Sequence, residues 1–148
     1  MTIRQIQKTE MQKVLSLIWV SFNRFVAPDY TREGVDTFYR LLHDQRALQD
    51  AVFFGAFEGN SILGVIAARN QNSHICFFFV DEQYQNRKVG ASLFSYFLRE
   101  TDQKVITVNA SPYAVEIYHS LGFQDSAEVQ MRDGIRFTPM TYVREQRK

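Results

Sequence analysis

From Val80 to Leu93 the sequence reads Val-Asp-Glu-Gln-Tyr-Gln-Asn-Arg-Lys-Val-Gly-Ala-Ser-Leu, an apolar run that ends in a polar loop before a helical pattern opens at Gly90. The first backbone N–H groups of a helix have no partner within it and lie at the positive end of its dipole. Such a turn therefore holds anions. Arg87 and Lys88 add charge beside it, and a phosphate is the ligand this chemistry takes. One glycine is a weak signal, and a charged loop before an ordinary helix start accounts equally for the spacing. Neither Gly-x-x-x-x-Gly-Lys-Ser/Thr nor Gly-x-Gly-x-x-Gly occurs, which weighs against a nucleotide-binding module.

Other side chains could move protons or attack. Tyr118 lies on the stripe Ala114, Ile117, Tyr118 and Leu121, where a phenol is by itself most often part of the core. His74 stands just before an apolar run, where a lone histidine is most often a polar boundary residue. Cys76 is the only cysteine, which rules out an intramolecular disulfide and a cysteine-based zinc cluster within one chain. With no charged neighbour in sequence it reads as a small buried hydrophobe.

The elements that position these residues follow from periodicity. Thr2 to Ile6 alternates weakly as a first strand, and Thr9-Glu10-Met11-Gln12 offers a capping box before a helix marked by Met11, Val14, Leu15, Ile18 and Phe22. Pro28-Asp29 breaks that helix, and Val35, Phe38, Tyr39 and Leu42 mark a second. The runs from Val52 to Phe57 and from Ile62 to Ala68 flank Glu58-Gly59-Asn60-Ser61 as an antiparallel hairpin. Ile75 to Val80 is continuously apolar, as a strand buried on both faces should be. A helix through Val89, Leu93, Tyr96 and Phe97 precedes a β-branched strand from Lys104 to Val108. Ser111-Pro112 supplies an N-cap and first helical position, Gly122 a terminator, and Asp133-Gly134 the turn of a closing hairpin between about Ala127 to Gln130 and Ile135 to Val143. This order gives a mixed α/β sheet with a strand-helix-strand crossover and about four flanking helices.

At 148 residues and 45% hydrophobic, the chain has the size and apolar content of one domain, 1–148, with a solvated tail at 144–148. A formal net charge of +1 lacks the electrostatic footprint of a nucleic-acid binder, so no nucleic-acid partner is expected. The start of the sequence lacks the pattern of a signal peptide, and the longest apolar stretch, Val14 to Phe22, is too short to span a membrane. A cytoplasmic protein is the expectation, and the single cysteine fits a reducing compartment.

The segment Val108-Asn-Ala-Ser-Pro-Tyr-Ala-Val-Glu-Ile-Tyr-His-Ser-Leu-Gly-Phe123 resembles a signature of the GNAT superfamily of N-acetyltransferases: strand, short helix with alanine, apolar-tyrosine pair, Leu-Gly-Phe ending. The loop from Gln85 is similar to the superfamily's pyrophosphate loop, Gln/Arg-x-x-Gly-x-Gly/Ala. With Gln85 in first place, Lys88 replaces the first glycine and Gly90 is the second. A register from Arg87 keeps Gly90 but puts Ser92 last, and the first is preferred. Lysine fits there if it keeps a negative φ, since such loops bind through backbone N–H. Ser111 stands where many members carry an asparagine that holds the CoA arm.

The resemblance covers nearly the whole chain and implies a GNAT-like acyl-CoA N-acyltransferase fold with acetyl-CoA as cosubstrate and no metal. The CoA-binding residues it implies are Phe79, Val80, Gln85, Asn86, Arg87, Lys88, Val89, Gly90, Ala91, Asn109 and Ser111. It also implies a pantetheine arm between the splayed strands Ile75 to Val80 and Lys104 to Val108, and direct attack by a primary amine. A backbone N–H near Phe79 or Val80 would hold the oxyanion, and Tyr118 would protonate the departing thiolate. His74, given the same strand parity as Cys76, Phe78 and Val80, is the implied base at the acceptor end, with Glu58 and Glu116 weaker. A non-catalytic acyl-CoA-binding or sensor domain of the same fold is the alternative. Specificity would reside in the two N-terminal helices and the last hairpin. Their Trp19, Phe22, Phe25, Tyr30, Phe38, Tyr39 and Phe137 suit an apolar pocket for a small-molecule or protein amine, or equally a homodimer surface.

Overall fold

The computed structural model describes residues 1–85 and 88–145. In chain order the elements are β1 (Thr2–Gln5), α1 (Met11–Ser21), α2 (Arg32–Leu42), α3 (Gln45–Gln49), β2 (Val52–Glu58), β3 (Ser61–Arg69), β4 (His74–Val80), α4 (Val89–Glu100), β5 (Val105–Ala110), α5 (Val115–Leu121), β6 (Gln124–Asp125), β7 (Gln130–Arg132) and β8 (Ile135–Val143). The strands form one mixed sheet in the order β1-β2-β3-β4-β5-β8-β6, with β7 paired onto β8. Among the described strands only the β4/β5 pair is parallel, the pair that α4 connects. This is the mixed α/β sheet predicted from the element order, with α3 and β6 added because neither is long enough to show a period. Among the described residues no helix is long and apolar enough to cross a membrane.

The central strands are apolar throughout because both faces of the sheet are covered. One face carries Phe54, Leu63, Ile66, Ile106 and Met140 under Leu93 and Phe97 of α4. The other carries Phe53, Val65, Ala67 and Phe77 under Val14, Ile18, Phe22 and Phe38 of the N-terminal helices. Phe22 and Phe97 are fully buried, a gain of roughly 1.5–3 kcal/mol for each ring.

Several local expectations are corrected. The capping interaction forms two residues early: the Gln7 N–H donates to Glu10 Oε1 (2.9 Å), and Arg4 grips the same carboxylate at 2.7 and 2.8 Å. The first helix does not stop at a clean break, since Phe22–Val26 continues as a π turn and Ala27–Asp29, which contains Pro28, as a 3₁₀ turn. Such widened turns re-aim side chains, here Phe22, Phe25 and Val26. Ser111 does not cap α5; its carbonyl accepts from Ala114 and Val115 (2.9 and 3.2 Å), and the helix begins four residues later. Gly122 ends α5 with φ 107°, a conformation that suits glycine.

Candidate active site

β4 and β5 pair only where His74 lies opposite Thr107 and Ile75 opposite Val108. Beyond that point the two strands part. β4 keeps its ladder with β3 as far as Val80 opposite Gly64, and β5 keeps its own with β8 as far as Ala110 opposite Thr138. Each strand therefore has an open backbone edge facing the other, and a cavity of about 610 Å³ is lined by both edges, the start of α4 and the turn before α5. The Asp81 N–H donates to Leu63 O of β3 at 2.8 Å. Backbone N–H groups alternate sides along a strand, so the Val80 N–H faces the gap while the Phe79 N–H faces β3. The Phe79 ring still lines the cavity.

At one end of the gap α4 begins. Its ladder opens with the Ser92 N–H on Lys88 O (3.0 Å), which leaves the amides of Val89, Gly90 and Ala91 without intrahelical acceptors. Gly90 and Ala91 line the cavity, whereas the Val89 side chain is buried in the core and has only its backbone to offer. A methyl group on Gly90 would meet Val80 and Phe78 at no less than 3.7 Å, ordinary contact. Packing thus does not require this glycine; a Cβ there would occupy cavity space instead. Lys88 adopts φ 61°, the opposite of the negative φ expected of it. A side chain in that conformation costs about 1–2 kcal/mol, so the position behaves as the glycine site it replaces. Gln85 bridges the mouth of the gap: its Nε2 donates to Val80 O (3.3 Å), and its Oε1 accepts from the Tyr113 hydroxyl (3.1 Å). Asn86 and Arg87 lie outside the described residues. Asn109 and Ser111 both line the cavity from the β5 side.

The predicted catalytic pair approaches from opposite faces of the sheet. Tyr118 packs with Phe78 and Phe123 at ring distances of 6.0 and 5.2 Å on the α4/α5 face. It is only 5% exposed yet lines the cavity. Its hydroxyl has no hydrogen-bond partner among the described residues, and burial raises its pKa, so the phenol stays protonated. His74 reaches the cavity from the α1/α2 face, with Nδ1 on Thr107 Oγ1 at 2.8 Å. Burial, then the nearby Arg69 charge, lowers its pKa. The expected parity of His74 with Cys76, Phe78 and Val80 is broken by a register shift opposite Ala67/Ala68, which leaves Cys76 without a partner on β3. His74 and Cys76 consequently share the α1/α2 face, while Phe78 and Val80 point to the other. The Cys76 thiol, pushed up to about 11 by burial, donates to Ala67 O. Glu58 and Glu116 do not line the cavity.

On the α1/α2 side the cavity is walled by Phe22, Phe25, Tyr30, Phe38 and Phe137. Trp19 and Tyr39, expected with them, form a separate shallow groove with Leu15 and His43. The β7–β8 turn closes the pocket on α2: Thr37 Oγ1 donates to Asp133 O (2.9 Å), and Thr31 Oγ1, which also caps α2 by accepting from the Gly34 N–H, donates to Gly134 O (3.3 Å). Sequence reasoning passed over Arg69, Tyr113, Arg132 and Asp133, at strand ends and turns, and Thr107 within β5. Only Tyr113, within the Val108–Phe123 motif, carried a signal that could have found it.

The geometry can be set beside known proteins. Residues 26–144 match the family model described as an acetyltransferase (GNAT) domain. No curated protein matches the chain. Among solved structures, a GCN5-related N-acetyltransferase from Rhodopseudomonas palustris superposes with a TM-score of 0.82 at 19% identity, covering 96% of this chain and 94% of that one. PaiA N-acetyltransferase from Thermoplasma acidophilum, in complex with coenzyme A, gives 0.75 at 18% identity over 97% and 98% of the two chains. An aminoglycoside 6′-N-acetyltransferase complexed with coenzyme A gives 0.67 at 11% identity over 100% and 99%. These likenesses are of fold, and with the family match over most of its length the chain belongs to the GNAT acetyltransferases.

Proposed function

We propose that the chain moves the acetyl group of acetyl-CoA to a primary amine by direct attack, with both substrates held together in the cavity between β4 and β5. The observation that carries this reading is Tyr118: a buried phenol that lines the cavity with its hydroxyl unpartnered among the described residues. A phenol O–H that reaches the cavity with no partner in the described fold is free to hydrogen-bond a ligand atom there.

The amides of Val89, Gly90 and Ala91 would hold the pyrophosphate, and the open edges of β4 and β5 the pantetheine arm, as an added strand would be held. Acetyl-CoA supplies the activated thioester carbonyl. The β4 amides turned into the gap, Val80 and by the same alternation Phe78, would donate to the thioester, with the Phe78 N–H, beside Tyr118 and nearer His74, taking the carbonyl oxygen as it gains charge. His74, neutral at neutral pH, would accept the amine proton through Nε2, while Tyr118 on the opposite face would donate to the departing sulfur. The Cys76 thiol, held protonated, takes no part. Arrival of the amine from one face and departure of the thiol to the other suits a single displacement.

Initial-rate kinetics of thiol release, with acetyl-CoA and members of a primary-amine panel both varied, tests this. Intersecting lines are expected. Parallel lines would mean an acyl-enzyme, and an absence of thiol release with CoA still bound would favour the non-catalytic binding domain.

A further inference from the structure

The acceptor side of the cavity has a chemistry of its own. Its body is aromatic, from Phe22, Phe25, Phe38 and Phe137. Its charge is not that of a site for polycations: Asp133 is the one carboxylate among the described residues lining the whole cavity, against Arg69 and Arg132 away from the α4 turn. A polyamine or aminosugar needs several acidic groups to offset its own charges, and here it would meet repulsion.

Arg69 stands apart among these cations. It lies directly opposite His74 across the β3/β4 ladder. Cross-strand partners project from the same face with Cβ atoms about 4.5–5.5 Å apart, so the two side chains leave the sheet side by side, and both line the cavity. Arg132 already stacks on Phe137 at 5.6 Å. The Arg69 guanidinium has neither a carboxylate within 4 Å nor a hydrogen bond among the described residues. A fork of N–H donors beside the base fits a carboxylate on the carbon that bears the reacting amine.

We infer that the acceptor is an α-amino acid with an apolar, aromatic or branched side chain, its amine at His74, its carboxylate on Arg69 and its side chain among the aromatic walls. This rests on the transfer reading above. The attachment of amine and carboxylate to one carbon matches the adjacency of His74 and Arg69, which a long spacer between the two groups would not.

The test compares phenylalanine, leucine, phenethylamine, phenylalaninamide and spermine as acceptors, by thiol release from acetyl-CoA, in the native chain and in Arg69→Gln. Calorimetric binding of phenylalanine to the protein–CoA complex is measured alongside. Phenylalanine or leucine is expected to lead in kcat/KM, and Arg69→Gln to reduce the ratio of phenylalanine to phenethylamine about 10–100-fold, as loss of a charge-assisted pair does. Arg69→Lys should restore part of that ratio. If phenethylamine or spermine leads, or the ratio survives Arg69→Gln, the inference is overturned and the transfer reading stands. If phenylalanine binds in an Arg69-dependent way without thiol release, the pocket assignment stands and the transfer reading falls. The absence of both binding and turnover of any amino acid overturns the inference.

Discussion

Replacement of Gly90 by alanine should move stability and cofactor affinity in opposite directions. Gly90 lies in the first turn of α4, and an added methyl would find its nearest neighbours at 3.7, 3.8 and 3.9 Å, on Val80 and Phe78. No atom has to shift. Alanine is favoured over glycine in a helix by up to about 1 kcal/mol, so the melting temperature should rise, by ~2–4 °C if the full amount is realised. The same methyl occupies cavity space beside the amides that would receive the pyrophosphate. Loss of one charge-assisted hydrogen bond is worth about 1.5–3 kcal/mol, or roughly 10–100-fold in the dissociation constant of CoA. Calorimetric titration with CoA and a thermal melt of the free protein measure the two effects separately. A variant that binds CoA with native affinity would remove the pyrophosphate from this turn. One that loses affinity and melts lower would show that Gly90 serves the fold instead.

Three further outcomes are expected. Tyr118→Phe removes a hydroxyl with no partner among the described residues, so the melting temperature should hold or rise while kcat falls ~10²–10⁴-fold at near-native CoA affinity; wild-type turnover, with chemistry rate-limiting, would take Tyr118 out of the mechanism. Because burial and Arg69 lower the His74 pKa below its ordinary value of 6.5, the imidazole is neutral at pH 7 and is protonated only as pH falls through its depressed pKa. The acid limb of kcat/KM should therefore lie below pH 6.5 and vanish in His74→Gln; an unchanged limb would assign the base elsewhere. Lys88→Gly relieves a left-handed side chain and should stabilise the free protein by up to ~1 kcal/mol after the greater freedom of glycine in the unfolded chain is offset, and a lower melting temperature would refute the strain argument.

Much of the arrangement is legible in local pattern. Strand runs such as Val52–Glu58 and Ser61–Arg69, with the turn between them, follow from continuous apolar sequence and turn residues, since a strand covered on both faces leaves no polar alternation. The helix start at Val89–Gly90 and the Leu-Gly-Phe end of α5 are short-range signals of the same kind, and they drew attention to the residues that line the cavity. Tyr118 was visible only through its motif, because helical periodicity assigns a tyrosine on an apolar stripe to the core, and it is indeed buried there.

Sheet register was beyond the reach of local pattern. The shift opposite Ala67/Ala68 puts His74 and Cys76 on one face and Phe78 and Val80 on the other, where strict alternation would put all four on the same face. The short β4/β5 pairing opens the gap, and how far two strands stay together depends on partners distant in sequence. The Gln85–Tyr113 bridge joins residues 28 apart. The neighbourhood of Arg69 and His74 depends on a turn in which Asn70, Gln71 and Asn72 all adopt positive φ. The sequence by itself determined the elements, the anion-binding turn and the family, because these rest on neighbouring residues. Which side chains face one another across the gap was decided by tertiary structure alone, since non-local strand pairing sets the direction of every side chain on a sheet.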